Sequence, residues 1–477
     1  MRLKLSAMKL ARLVLTICVV LGKRYGQGLL GETMISIRSK TQAIISSFLA
    51  LFLSTGANAE PVGSRTPLDR SFLSAKTHTE WSTGNQLELL IDGTEFYQVR
   101  LAQIESAKKS IDITTFLWCA DESGYKTAEK LIEAAKRGVQ IRVAIDFLNR
   151  SKKPEPVYAM MRAAGIQVAK FNPPYWGIEE LNNHSLHEKF MIVDGKSVLT
   201  GGANICDEYL IGGERKLWHD LEMRIEGPAA AIYQTRYDEN WNWLVKKDIE
   251  GLTRSAVGAA EINGVPTFVR SKVHVVNEPT ETSTARAGDS ELLVHYQQNY
   301  RRKSDGVESI QVFSHLIDSA NEEVVMYLPY YILPPEILAA MNRAVERNVK
   351  VKVLTNSPET NDEKLSVYAA LNFYRDSLNQ GIEIHEYQPR TLHAKAVMID
   401  KKIITLGSHN LTYRSFRKSG EANVITEDPI LIEKFVRQTE KDWLESTLLT
   451  LDQVAERSNQ VKEKTMLLVG RWLRSFM

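Results

Sequence analysis

The sequence predicts an α/β protein made of two copies of one domain, each a mixed sheet flanked by helices. Three observations carry that expectation: blocks of sequence recur in one order, β-branched runs alternate with helical patterns inside each copy, and a polar stretch separates the copies. IESAKKSIDITTFLW (104–118) is echoed by IDSANEEVVMYLPYY (317–331), and AAKRGVQIRVAID (134–146) by AVERNVKVKVLTN (344–356). AAGIQVAKF (163–171) matches LNQGIEIHEY (378–387), and LHEKFMIVDGKSVLTGGAN (186–204) matches LHAKAVMIDKKIITLGSHN (392–410). The offset near 210 residues is too long for a solenoid unit, so each copy is expected to be a whole domain.

Within each copy, strand-like runs alternate with amphipathic patterns such as TAEKLIEAAKRG (127–138) and EILAAMNRAVERN (336–348), the mark of βαβ units. Gly138 and Asn348 stand where a left-handed residue ends a helix ahead of the next strand. The stretch EPTETSTARAGD (278–289) reads as the linker, and 251–277 as either a strand pair or an irregular connection. The expected domains are 60–250 and 291–450, with a linker over 251–290 and a C-terminal amphipathic helix over 451–477.

The first 59 residues read as a separate segment. From Met34 a basic start (Arg38, Lys40) leads to an apolar run from Ala43 to Leu53 and to small residues at Ala57 and Ala59, the pattern of a secretory signal peptide cleaved after Ala59. A short buried helix or a pair of weak membrane anchors is the other reading of residues 1–59. With 60 Lys and Arg against 58 Asp and Glu, the whole chain is nearly neutral, and removal of 1–59 leaves 52 basic and 57 acidic residues. A body of net charge −5 argues against affinity built on broad phosphate neutralisation of nucleic acid. Three Cys exclude a disulfide scaffold, and no zinc-type spacing occurs. In an oxidising compartment Cys119 and Cys206 are able to pair, which their spacing does not decide.

Both copies carry the same polar pattern, H-x-K, four residues, D, six residues, G-[GS]-x-N. In the first copy it is His187, Lys189, Asp194, Gly201, Gly202 and Asn204; in the second it is His393, Lys395, Asp400, Gly407, Ser408 and Asn410. On a strand, residues two apart face one side, so a nucleophile and a cation emerge together. Two-residue turns after Asp194 and Asp400 would pair Asp194 with Ser197 and set Asn204 opposite His187 and Asn410 opposite His393. Two such clusters suit a phosphodiester: one imidazole attacks phosphorus, the other protonates the leaving alcohol, and Lys and Asn stabilise the oxygens. Two ammonium groups supply the positive charge, so no metal or other cofactor is expected.

The repeated pattern resembles the paired HKD motifs of the phospholipase D superfamily. LLIDGTEFYQVRLAQIESAKKSIDITTFLW, KRGVQIRVAID and HEYQPRTLHAKAVMIDKKIITLGSHNLTYRS resemble its bacterial cardiolipin synthase-like branch, over about residues 87–445. The resemblance implies two copies packed about a pseudo-twofold axis with one active site at their interface. It implies a catalytic set of His187, Lys189, Asp194, His393, Lys395 and Asp400, with the two Asp mainly supportive, and phosphate contacts from Asn204 and Asn410. An acidic residue after each motif, Asp220 and Glu421, is expected to orient a His ring. His187 is the expected nucleophile, since family members more often use the first copy.

The expected function is that of a metal-independent phospholipase D-type phosphodiesterase or phosphatidyltransferase acting on glycerophospholipids through a phosphohistidine. The expected acceptor is water or an alcohol. A cardiolipin synthase proper is one alternative, weakened by a signal peptide where such synthases typically carry two N-terminal membrane helices. An endonuclease of the same superfamily is another, disfavoured by the acidic body and by the presence of both half-sites in one chain, which also predicts a monomer. A silent lipid-binding scaffold is a third, against which both complete motifs count. The expected location is exported, periplasmic or secreted, at a membrane surface. Trp118, Tyr330, Tyr331 and the run Pro173, Pro174, Tyr175, Trp176 are candidates for an apolar mouth. Val469, Trp472, Leu473 and Phe476 share a helical face suited to a lipid surface or to packing on the second domain. His184, His219 and His409 are further candidates for the pocket.

Overall fold

The computed structural model describes residues 67–146, 154–171, 184–212, 216–255, 289–302 and 304–459. After α1 (Arg70–Thr77), the first copy runs β1 (Ser82–Ile91), α2 (Gly93–Ser106), β2 (Ser110–Thr115), α3 (Glu122–Lys136), β3 (Gln140–Asp146), α4 (Glu155–Ala163), β4 (Gln167–Phe171), β5 (Ser185–Leu186), β6 (Phe190–Val193), β7 (Ser197–Gly201), α5 (Asp207–Leu210), β8 (Leu221–Glu226) and α6 (Ala229–Ser255). The second runs β9 (Ser290–Gln298), α7 (Asp305–Asp318), β10 (Glu323–Tyr327), α8 (Pro335–Glu346), β11 (Lys350–Asn356), α9 (Lys364–Gln380), β12 (Glu383–Tyr387), β13 (Ala396–Ile399), β14 (Ile403–Gly407), α10 (Tyr413–Lys418), β15 (Ser419–Thr426), α11 (Pro429–Leu444), β16 (Ser446–Leu448) and α12 (Leu451–Asn459).

Local sequence accounts for the helices. Asp121 caps α3 by accepting from Gly124 N at 3.0 Å, and Thr127, Ala128, Leu131 and Ala134 form its buried stripe. In α8 the stripe is Ile337, Ala340, Met341 and Ala344, where each fully buried large side chain contributes roughly 1.5–3 kcal/mol. Gly138 (φ 91°) and Asn348 (φ 64°) take the left-handed conformation expected of them after these helices.

The two copies form one continuous sheet, in the order β16-β12-β11-β10-β13-β14-β15-β9-β1-β8-β7-β6-β2-β3-β4, with β5 pairing β15 off that path. Read outward from the β9–β1 seam, both halves run through antiparallel strands to three parallel ones, β2-β3-β4 on one side and β10-β11-β12 on the other, where β16 adds an antiparallel edge strand. The seam is therefore the pseudo-twofold axis. On one face a shared core joins Tyr233, Tyr237 and Trp241 of α6 to Leu431 and Phe435 of α11, with strand residues from both copies. On the other face each copy keeps its own core, α2–α4 over the first half and α7–α9 over the second. Cys119 and Cys206 form a disulfide, Cα–Cα 5.0 Å, tying the segment after β2 to the start of α5.

The boundaries differ from those read in the sequence. α1 belongs to the second half: Leu73 enters that half's outer core, Arg70 pairs with Glu291, and Asp69 N donates to His315 Nε2 at 2.8 Å. α6 continues to Ser255, beyond the boundary at 250, so 251–255 is neither strand nor irregular. The start of the segment 451–477 is the helix α12, docked on the second half by Arg457, which grips Glu386 with two hydrogen bonds at 2.6 and 2.8 Å. Residues 1–66, most of the linker and 460–477 lie outside the described residues, and among the described ones no helix is long and apolar enough to cross a membrane.

Candidate active site

Each motif folds as a hairpin, in a register one residue away from expectation. Val193 pairs with Ser197 and Ile399 with Ile403, so each loop holds three residues rather than two. Positive φ at Asp194 and Gly195, and at Asp400 and Lys401, makes the extra residue possible. Asn204 and Asn410 consequently do not stand opposite the histidines within their hairpins, and His187 and His393 themselves precede the paired strands.

Asp194 and Asp400 are occupied by backbone donors. Asp194 accepts from Lys109 N at 2.7 Å, Ser110 N at 2.9 Å and Lys108 N at 3.0 Å. Asp400 does the same for Glu322 N at 2.7 Å, Asn321 N at 2.8 Å and Glu323 N at 2.9 Å. Burial opposes ionisation of Asp400, but those donors hold its carboxyl below the ordinary range. Both residues bind the motif hairpin to the turn leading into β2 or β10.

The histidine partners are exchanged between copies. His187 Nδ1 lies 2.9 Å from Glu421 Oε2, and His393 Nδ1 lies 2.7 Å from Asp220 Oδ2. Asp220 and Glu421 therefore meet a His ring as expected, each in the other half. The backbone exchanges too: His187 N donates to Gly420 O at 3.0 Å, and His393 N donates to His219 O at 2.7 Å. With Nδ1 facing a carboxylate in each ring, Nε2 is the nitrogen turned away from that carboxylate.

Burial and the lysines depress both imidazoles, His187 well below 6.5 and His393 to about 4. Burial likewise lowers the ammonium groups, Lys189 to about 7 and Lys395 to about 8, against the pull of Glu421 and Asp220. The two acids differ. Burial raises Glu421, whereas for Asp220 the neighbouring His393 and Lys395 outweigh burial and lower it. Lys189 Nζ donates to His187 O at 2.6 Å and lies 5.6 Å from the Phe116 ring; Lys395 Nζ lies 2.6 Å from His393 Nδ1 and 2.9 Å from its Nε2. Tyr209 and Trp218 pack on the His393 ring with centroids 4.9 and 5.6 Å away.

A cavity of about 360 Å³ opens on His187 and is lined from both copies, among them by Phe116, Tyr330, Glu363, Asn410 and Arg414. Arg414 is close enough to depress His187 further. Lys189, Lys395 and Arg414 together suit an anion; of the carboxylates nearby, Glu421 and Asp220 are bonded to imidazoles, and Glu363 adds one negative group to the cavity wall. Asn410 lines the cavity, whereas the Oδ1 of buried Asn204 accepts from Leu117 N at 3.0 Å. Asn204 therefore props the segment that carries Phe116.

Of the aromatic candidates, Tyr330 lines the cavity and donates to Asp362 at 3.0 Å, whereas Trp118 and Tyr331 are core residues. Pro173 to Trp176 lie outside the described residues. His409 packs against Phe313 and Phe416, and His184 does not line the cavity. Sequence reading missed Phe116, Glu363 and Arg414. Phe116 lies near the end of a repeated block, aligned with Pro329, and Arg414 follows the second motif, so position was a signal that the repeat does not single out.

Two HKD-type half-sites, each completed by the other copy, across one continuous sheet, define a phospholipase D-type enzyme. The family model for "cardiolipin synthase, PLD-like domain" matches residues 101–241 and 313–443, more than half of the chain, and the chain belongs to that family. Among curated relatives, the major cardiolipin synthase ClsA of Bacillus subtilis is 25% identical over 389 residues, covering 81% of this chain and 75% of that one. Cardiolipin synthase A of Pseudomonas aeruginosa is 27% identical over 380 residues, covering 78% and 70%. Among solved structures, phosphatidylserine synthase of Haemophilus influenzae has the same fold, with a TM-score of 0.60, 18% identity, and coverage of 82% and 95%.

Proposed function

We propose that the protein is a phosphatidyltransferase of the cardiolipin synthase type, which moves a phosphatidyl group from one phospholipid to the hydroxyl of another through a phosphohistidine. The carrying observation is the pair of histidines, each held at Nδ1 by a carboxylate of the opposite copy, in one cationic site. His187 Nε2 attacks phosphorus and forms the P–N bond while the P–O bond to the leaving alcohol breaks, and His393 gives that oxygen its proton from Nε2. In the second half His393 takes the proton of the incoming hydroxyl, whose oxygen attacks phosphorus and releases His187. Two differences favour this division of roles. His187 faces the cavity, and the ionised Asp220 stabilises a protonated His393 better than the raised Glu421 would stabilise an imidazolium at His187.

The similarity to cardiolipin synthases over about four-fifths of the chain favours transfer over hydrolysis and outweighs the signal peptide-like pattern before residue 60. An exported enzyme working at a lipid surface is supported by that pattern and by the Cys119–Cys206 disulfide, and a monomer by the presence of both half-sites in one chain. The test is mass spectrometry of products from phosphatidylglycerol vesicles with EDTA, using wild type, His187→Ala and His393→Ala. Cardiolipin plus glycerol from wild type alone is expected. Phosphatidic acid alone would return the assignment to a phospholipase, and turnover of plasmid DNA without lipid turnover would make the enzyme a nuclease.

A further inference from the structure

His219 takes no part in the chemistry above, yet it is fully buried at the junction of the two copies. Its Nδ1 lies 2.6 Å from Asp92 Oδ1, ahead of α2, and its Nε2 lies 3.0 Å from Asp442 Oδ2, on α11. An imidazole with a carboxylate on both nitrogens must donate from both, so the ring is the charged form; the carboxylates outweigh burial and raise it to about 9. Arg390 pairs with the second oxygen of Asp92, and Tyr327 donates to Asp442. The ring of Tyr387 lies 5.5 Å from the imidazole. Two cations and two anions thus balance in one buried network.

The network acts on the catalytic groups through the main chain. His219 O accepts from both His393 N at 2.7 Å and Ala394 N at 3.0 Å, while His219 N donates to Thr391 O at 2.8 Å. The next residue is Asp220, whose carbonyl accepts from Asp92 N at 3.1 Å. Asp92 itself holds φ 67° and ψ 156°, a conformation that costs a non-glycine residue about 1–3 kcal/mol and persists only where its surroundings over-determine it.

The arrangement is confined to one half-site. The pseudo-symmetric counterpart of His219-Asp220 is Gly420-Glu421, and Gly420 has no side chain to clamp. A Cβ there would lie 2.3 Å from Glu188 Oε2 and 2.6 Å from the Tyr300 ring. The backbone bond from Gly420 O to His187 N repeats that from His219 O to His393 N, but the charged brace does not.

We infer that His219 is a positioning residue for the His393–Asp220 pair, clamped by Asp92 and Asp442 so that the peptide carrying Asp220 and receiving His393 is fixed across the two copies. The inference rests on His393 being the general acid, and a leaving-group comparison separates the two. Phosphatidylglycerol, whose glycerol leaves poorly, and phosphatidyl-4-nitrophenol, whose phenol leaves without protonation, are given to wild type, His393→Ala, His219→Gln and Asp92→Asn, with folding checked by thermal melting. In single-turnover release of the first alcohol, which does not await the His393-dependent second step, folded His219→Gln is expected to lose about 100-fold on phosphatidylglycerol with half-saturation within about twofold, and less than about tenfold on the nitrophenyl ester, following His393→Ala. Asp92→Asn, at the outer end of the clamp, is expected to show the same contrast in weaker form and serves as the test if His219→Gln does not fold. Equal losses on both substrates, or no loss, beside a leaving-group-dependent His393→Ala overturn the role of His219. Equal losses in His393→Ala itself overturn its role as acid, and the inference with it.

Discussion

Glu421 and Asp220 occupy matching places in the two copies but sit in different company. Glu421 Oε2 also accepts from Ser408 Oγ at 2.6 Å, whereas at the matching position Gly202 has no side chain, and a Cβ there would lie 2.2 Å from Asp220 Oδ1. One motif therefore needs a hydroxyl where the other needs space. Proton inventory at this scale sets the pH profile. The nucleophile must be neutral, which holds above the depressed pKa of His187, well below 6.5. The lysines must be charged, which holds below about 7 for Lys189 and about 8 for Lys395. Loss of the lysine charge is expected to steepen the fall of kcat/KM as pH rises through 7 to 8, on top of the decline set by His393, which must carry a proton to act as acid and is held to about 4.

The motif hairpins show how an invariant-looking aspartate can be structural. Asp194 and Asp400 each collect three backbone N–H donors from the turn ahead of a parallel strand, a task no apolar residue performs. Replacing either by Ala leaves those donors without their acceptor and is expected to cost about 1–3 kcal/mol of stability, measured by denaturant unfolding. Turnover by the folded variants is expected to stay within about twofold of wild type, in contrast to His393→Ala. The recurrence of these aspartates was legible in the sequence, and their donors were not, because those backbone N–H groups come from turns more than 70 residues away in the chain. The hairpin register was hidden too, since it depends on a loop whose positive φ values add one residue to the turn and shift every pair.

Across the whole molecule, the exchange of partners makes the halves interdependent. The first copy alone carries His187 without Glu421, and the second carries His393 without Asp220. Fragments 67–255 and 289–459 are each expected to be inactive on phosphatidylglycerol vesicles, and activity regained on mixing them would report reassembly of the β1–β9 seam. Neither fragment is self-contained, because α1 packs on the second half and α6 and α11 share one core. The same continuity brings His219 and Asp442 together from positions 223 residues apart in the chain.

The sequence by itself determined the duplication, the α/β alternation, the two H-x-K clusters and the two acids that meet the rings. These are local patterns: strand and helix periodicities, cap residues, and polar positions repeated where packing alone would have kept apolar ones. Only the tertiary structure decided which acid serves which histidine, where Asn204 points, which half owns α1, and that His219 is a buried cation between two carboxylates. Those outcomes depend on how two sheets join at one seam. A residue's spacing from its own motif carries no information about a partner that arrives from the other copy, and burial, which sets the charge of every group here, exists only after the copies have closed on each other.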